Sequence, residues 1–499
     1  MKKITVFVFA FVLLSACKAK VIDDSDNKST MKLDTATFNS IYSKYKEPTL
    51  QHRRFKHSDI EALILTDKKS VVVDQIGRSF QGRTIYELTY GTGDIPVMLW
   101  SQMHGDEPTA TMALFDLFNF LEGKDDGYDD IRQLLSEKLN IHFIPMLNPD
   151  GAEKYMRRTA QGIDMNRDAR VGHTVEGDLL RMRAAAIKPK YGFNLHDQNI
   201  YYNVPGTKNP VVISLLAPAF NPDRDINNVR EGAMQVAVGM NAILQNYIPN
   251  AIAKYDDTYT PRGFGDNFQS WGASTVLIES GGMKGDPEKQ QIRKLNFIII
   301  LNALIEIAEG SYKKYDKKDY ENIPFNASQL HDVVLRKLLI ERDGIPFKTD
   351  LAIRRSETTV GTDFFVKGYV EDLGDLQDYS GYDELDADGL QFIEAKSDDI
   401  GLPSVSSLSS KRAFELLKNG IMAVSIKNNF VEELPELHNL PIHLYKKKEF
   451  LPTTLVDLGV SANFYLADKD GVLKYAVLNG YLIDLSKESP QSLVKNRVL

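Results

Sequence analysis

The sequence predicts an α/β sheet with helices on both faces, followed by a second, mainly β domain. Three observations carry this. From about residue 50 to about Gly310, apolar runs of strand length alternate with longer runs of helical period, the pattern of an α/β sheet. Beyond a charged segment, "SYKKYDKKDYENIPFN", the texture changes to short strands separated by turn residues. Finally, four strands of the first region end in polar residues, and in a doubly wound sheet such ends converge on one crevice.

Taken in order, the chain opens with "MKK" and the apolar run "ITVFVFAFVLLSA", too short to span a bilayer comfortably. This is the form of a secretory signal. It closes on "LLSAC", which resembles the lipobox of bacterial lipoproteins and contains the one cysteine of the chain, Cys17. The expectation is a signal peptide over 1–16 and a lipid on Cys17. The protein is then anchored to the membrane of a bacterial envelope, on the periplasmic or outer-membrane face. Residues 17–45 begin polar and without period, and read as a flexible tether. With one cysteine no disulfide can form within the chain. A net charge of −8, with no dominant basic patch, argues against a nucleic-acid partner.

The first region, 46–312, holds the candidate chemistry. "IPVMLWSQ" reads as a buried strand and hands over to "MHGDEPTATMAL", where Pro108 suits the first turn of a helix. His104 and Glu107 therefore sit at a strand exit. "IHFIPMLNPDG" ends at Asn148 and Asp150, the latter read as a turn residue. "YGFNLHDQ" ends at His196, and "STVLIESGG" at Glu279. Two imidazoles and one carboxylate, His104, His196 and Glu107, make the ligand set of a catalytic zinc site. Glu279 is left over, and a buried carboxylate beside such a centre suits a general base. The chain has nine histidines. His142 reads as a strand residue, and His52, His57 and His173 as solvated.

At this point the sequence resembles the zinc carboxypeptidases of the carboxypeptidase A type. The matching pieces, "HGDE", "NPDG", "MRRT", "GIDMNRD", "NLHD" and "VLIESGG", follow the family's order between about residues 50 and 310. The resemblance implies a mixed sheet flanked by helices and one Zn²⁺ per chain on His104, Glu107 and His196. It implies Glu279 as the base, Arg157 as the group that polarises the scissile carbonyl, and Asn166 with Arg167 as the grip on a substrate's terminal carboxylate. Asp164 is implied as the acid behind the first zinc histidine. The substrate is then a peptide with a free C-terminal carboxylate, or a muropeptide. The alternatives are a cell-wall amidase on the same zinc site and a catalytically silent peptide-binding lipoprotein. Two departures stand out. Glu107 and His196 lie only 89 residues apart. The family's mobile tyrosine has no clear match, with Tyr259 preferred over Tyr255.

The last region, 325–499, reads as a mainly β accessory domain. "VKGYVEDLGDLQDY" and "LGVSANFYLADKDGVLKYAVLNGYLIDL" faintly resemble the β-sandwich that flanks amidohydrolase barrels, but no barrel lies between them. His331, His438 and His443 are dispersed here and read as structural or solvated.

Overall fold

A computed structural model describes residues 33–427, 436–446, 453–490 and 494–499. The signal segment and Cys17 lie outside these. Eight strands make the first sheet: β1 (Val72–Arg78), β2 (Thr84–Tyr90), β3 (Ile95–Trp100), β4 (Leu139–Ile144), β5 (Tyr191–Asp197), β6 (Ile213–Leu216), β7 (Ile252–Lys254) and β8 (Ser274–Ser280). Their order across the sheet is β1-β2-β4-β3-β5-β8-β6-β7. The centre, β4-β3-β5-β8, is parallel. The edges carry antiparallel pairs, β1 with β2, β2 with β4, and β6 with β8. The sheet is thus mixed, as the resemblance implied.

The central strands are covered on both faces, which is why they read as unbroken apolar runs. Residues 97–100 of β3 are wholly buried. Trp100 stacks on Phe268, ring centres 4.1 Å apart, which seats the short helix Phe264–Ser270 on the sheet. The helix Gln290–Glu309 is apolar around most of its girth and is buried accordingly. Its Arg293 is fully buried. The guanidinium pairs with Asp116 on the helix Thr109–Leu121 through Nε (2.8 Å), and donates to the carbonyls of Glu47 and Leu50.

Those carbonyls follow a helix, Thr35–Tyr45, that falls inside the stretch read as tether. It is ordered because Asp34 caps its first turn and Phe38, Ile41 and Tyr42 are buried, Tyr42 against Phe297. The packed fold therefore starts before residue 46. The charged segment after Gly310 is also docked: Tyr312 and Tyr320 are buried, and the Tyr320 hydroxyl accepts the Ala217 N–H.

The C-terminal region is built on long antiparallel strands, β9 (Leu330–Arg342), β10 (Ile345–Val360) and β11 (Asp363–Gly374). Asp343 and Gly344 turn β9 into β10, both at positive φ, as a two-residue hairpin requires. Alongside β9 run two parallel strands, β12 (Ser380–Asp386) and β13 (Gln391–Glu394), and the sheet continues through Phe464–Ala467, Leu473–Leu478 and Tyr481–Asp484. A parallel three-stranded sheet with the helix Ser410–Lys418 joins it. The described residues from Leu33 to Leu499 form one compact unit. At one end of the seam Glu357 takes both Arg53 and Arg54, and the Arg54 guanidinium lies between the rings of Tyr155 and Phe364.

Two glycines of the motif segments meet where the site is built. A Cβ on Gly105 would collide with the backbone of Gly151 and Ala152, and one on Gly151 would crowd the Asn148 amide and the carbonyls of Met156 and Arg158. "HGDE" and "NPDG" thus pack backbone against backbone, an approach only glycine permits. Asp150 is buried next to this contact, accepting from Ser79 Oγ, the Gln81 N–H and Arg83. It anchors the β1–β2 turn from the first turn of a short helix, Pro149–Lys154, and is not itself the turn residue expected from sequence. Gly105→Ala should cost about 1–3 kcal/mol of unfolding free energy through overpacking. Urea unfolding measures this, and a wild-type midpoint would mean that the two backbones part freely.

Candidate active site

β3 and β5 are neighbours, but the chain leaves β3 toward β4 on the other side. The crevice at the carboxyl ends of β3 and β5 is therefore a topological switch point. His104 and Glu107 lie just past the end of β3, and His196 is the penultimate residue of β5. On β8, Glu279 is in register with His196. All four side chains are buried, yet line one cleft of about 220 Å³.

Glu107 is the hub. Its Oε1 lies 2.8 Å from His104 Nδ1 and its Oε2 2.7 Å from His196 Nδ1. The Asp197 N–H and Arg157 Nη1 also donate to it, at 3.2 and 3.1 Å. Behind His104, Asp164 Oδ1 lies 3.0 Å from Nε2, and its Oδ2 accepts from Arg157 Nε and Nη2. The first helix-like turn after Asp164 presents Asn166 and Arg167. Asn166 Oδ1 accepts the Phe264 N–H (2.8 Å), which ties that turn to the helix under the site. Arg167 is exposed, lines the cleft, and donates to the carbonyl of Asn166.

Burial works against charge throughout this cluster, and the neighbours decide the outcome. For His104 burial pushes the pKa down, but Glu107 and Asp164 on its two nitrogens raise it to about 9. Glu107 is buried too, and the two histidines hold it well below the usual carboxylate range. Asp164 is held low against burial by His104 and Arg157. His196 is pushed down by burial. Glu279 goes the other way: burial, then the charge of Glu107, push it well above its ordinary value.

The donor set fits a divalent cation. One ring nitrogen of each histidine and one oxygen of Glu107 lie within 4.8 Å of one another. With Asp164 on Nε2, His104 turns Nδ1 to a Glu107 oxygen at 2.8 Å, and a cation bound to those two atoms would take the place of the proton between them. His196 Nε2 and Glu279 Oε2 are buried with no hydrogen-bond partner, so this cluster is not closed by protein groups alone. Imidazole and carboxylate together suit zinc, and Asp164 behind His104 orients the ring.

Of the residues expected from sequence, His104, Glu107, His196, Glu279, Arg157, Asp164, Asn166 and Arg167 are brought together. Tyr259 is not among the residues lining the cleft. Tyr255 is, with its ring edge-on to Tyr202 at 5.9 Å; further along the loop Thr258 and Thr260 line the cleft, and Tyr259 between them does not. The structure also adds Asp197 and Lys289. Asp197 Oδ2 accepts from Thr109 Oγ1 and Lys289 Nζ, which also donates to the Ser280 carbonyl. Lys289 thus offsets a second buried carboxylate beside His196. The aspartate could have been noticed in "NLHD"; nothing local marks the lysine.

Comparison with known proteins gives a family match over part of this region. Residues 57–181 match the zinc carboxypeptidase family model, which bears out the resemblance read from the motifs. That segment contains His104, Glu107, Arg157, Asp164, Asn166 and Arg167, and ends before His196 and Glu279. Among curated proteins, the uncharacterized protein ZMO1242 of Zymomonas mobilis is 31% identical over 135 residues, 27% of this chain and 34% of that protein. Carboxypeptidase SOL1 of Arabidopsis thaliana is 34% identical over 101 residues, 19% of this chain and 20% of that protein. The chain thus spans about a third or less of the curated relatives it matches. A metallo-carboxypeptidase structure from Burkholderia cenocepacia aligns with 51% of this chain and 69% of its own, at 17% identity and a TM-score of 0.40.

Elemental analysis of the purified protein should find about one zinc per chain, as a single His₂Glu set holds one ion. His196→Ala should lose it, and full retention would remove His196 from the ligand set.

Proposed function

We propose that this chain is a zinc metallocarboxypeptidase that hydrolyses the last peptide bond of its substrate. The observation that carries the reading is the pairing, in one cleft, of a convergent His104–Glu107–His196 set with a buried carboxylate, Glu279, that has an unpartnered oxygen. A pure binding site gains nothing from such a group.

His104, Glu107 and His196 would hold the zinc, which supplies Lewis acidity toward the carbonyl and toward water. The protein's own groups do the rest. Glu279 accepts the proton of the attacking water and returns it to the leaving amine; its burial matches a carboxylate poised to be neutral after the first transfer. Arg157 stays charged, and its anchorage on Asp164 fixes the guanidinium at the cleft, where a donor to the developing oxyanion belongs. Arg167 presents a planar fork to the same cleft and suits a free carboxylate held in two-point fashion. Asn166 is tied by its side-chain oxygen, so its amide N–H₂ is left for the substrate.

One assay on C-terminally varied peptides tests this with two arms. Glu279→Gln should keep zinc and fold but lose roughly 10²–10⁴-fold in kcat. Activity within tenfold of wild type would mean another group is the base. Amidating the C-terminus of a good substrate should cost wild type at least about tenfold, the scale of a lost charged hydrogen bond, and cost Arg167→Ala little further. Equal cleavage of amidated and free peptides would sink the carboxypeptidase reading in favour of an amidase.

The envelope address belongs to the same proposal, and its support is the "LLSAC" sequence. Mass spectrometry of the membrane fraction should find lipid on Cys17, and Cys17→Ser should abolish it. An unmodified Cys17 in a soluble mature protein would end the lipoprotein claim.

A further inference from the structure

The chain that leaves β5 just after His196 does not hold itself in place. Residues 199, 200 and 205–209 are exposed, whereas Tyr201 and Asn203 are buried. Their partners come from the C-terminal region. The Tyr201 hydroxyl donates to Asp332 Oδ2 at 2.5 Å, and the Arg354 guanidinium covers its ring. Asp332, on β9, also accepts from the N–H and the guanidinium of Arg355 on β10, at 2.7 and 2.6 Å. The backbone is gripped as well. Asn203 exchanges both amide bonds with Ala327, and the Leu330 N–H donates to the Tyr201 carbonyl. Tyr382 on β12 donates to the Ile200 carbonyl at 2.5 Å. The same hydroxyl lies where a Cβ on Gly282 would stand, three residues past Glu279.

With Tyr201 and Asn203 turned into the C-terminal region, Tyr202 between them is turned into the cleft, where it meets Tyr255. Asn199 and Gln198 line the same cleft. Gln198 is also fixed in part from outside the sheet, its Oε1 accepting from Asn326 (3.3 Å) and Ser214.

We propose that the C-terminal β region forms the outer support of the substrate cleft. In this role Tyr201, Asp332 and Tyr382 are positioning residues that hold the segment 198–204 so that Asn199 and Tyr202 face the bound peptide. The region then acts on substrate binding rather than on the chemical step. This rests on the peptidase reading for what occupies the cleft. It does not rest on that reading for how the segment is held.

Two conservative variants of the full-length zinc protein test it. Tyr201→Phe keeps the ring under Arg354 and removes only the hydroxyl. Tyr382→Phe removes the bond to Ile200 at a more exposed position, and keeps the proposal falsifiable should the first variant fail to fold. Each should raise KM for a peptide substrate roughly tenfold, the scale of a lost hydrogen bond to a charged or well-placed acceptor, while kcat stays within about twofold. Loss of kcat with KM unchanged in both variants would overturn the proposal. Hydrogen exchange supplies a readout that needs no turnover. Amides of 198–204 should exchange faster in both variants while those of β5 keep wild-type protection; unchanged exchange at 198–204 would overturn the proposal. If the wild-type protein cleaves no peptide, the peptidase reading falls, and the exchange experiment alone decides whether the C-terminal region holds this segment.

Discussion

The carboxylate of Glu107 is the contact on which the rest of the site depends. It joins histidines 89 residues apart in the chain and takes Arg157 as a third partner. A buried carboxylate with fewer donors would be costly, because desolvation of an isolated charge is several kcal/mol. Here each oxygen is matched to a ring nitrogen, and a cation bound to that set completes the match. The fold serves this one arrangement. Parallel order in β4-β3-β5-β8 brings three strand ends to one side, and the reversal between β3 and β5 opens the crevice that receives them.

Around this hub the charges balance in pairs. Asp164 lies between His104 and Arg157; Asp197 takes Thr109 and Lys289. Glu279 has neither a cation nor a donor on its inner oxygen, and it carries the opposite shift from Glu107 although both are buried. Two carboxylates in one site, pushed apart by their surroundings, mark out separate roles for ligand and base. Arg293 and Asp116 repeat the pairing away from the cleft, where it fixes the N-terminal helix to the core.

Charged and aromatic contacts bind the C-terminal region to this architecture. Glu357 with Arg53 and Arg54 closes one end of the seam, and Asp332 with Tyr201 and Arg355 closes another. Both ends reach elements next to the cleft: Tyr155 precedes Arg157 by two residues, and Tyr201 follows His196 by five. Such contacts are directional, so they fix orientation as well as association.

What the sequence determined by itself was local: strand exits, a helix start after Pro108, and the residue types of a ligand set. His104 and Glu107 could be read because they sit three apart at a strand–helix junction. Asp164, Asn166 and Arg167 were marked only by the resemblance of "GIDMNRD" to the family's pattern, the stretch itself reading as a loop. His196 and Glu279 were marked by the same strand-end pattern. Tertiary structure decided the rest. It put Tyr255 and not Tyr259 on the wall of the cleft, because only the packed course of the loop after β7 says which side chains turn inward. It ordered residues 35–45, whose apolar positions find their partners only in the helix Gln290–Glu309 and its surroundings. It supplied Lys289 to Asp197 and Asp332 to Tyr201 across 92 and 131 residues. Propensity and period act over a few residues and are written in the chain. The partner of a buried charge is set by which distant surfaces the packed sheet brings within about 3 Å, the reach of a hydrogen bond.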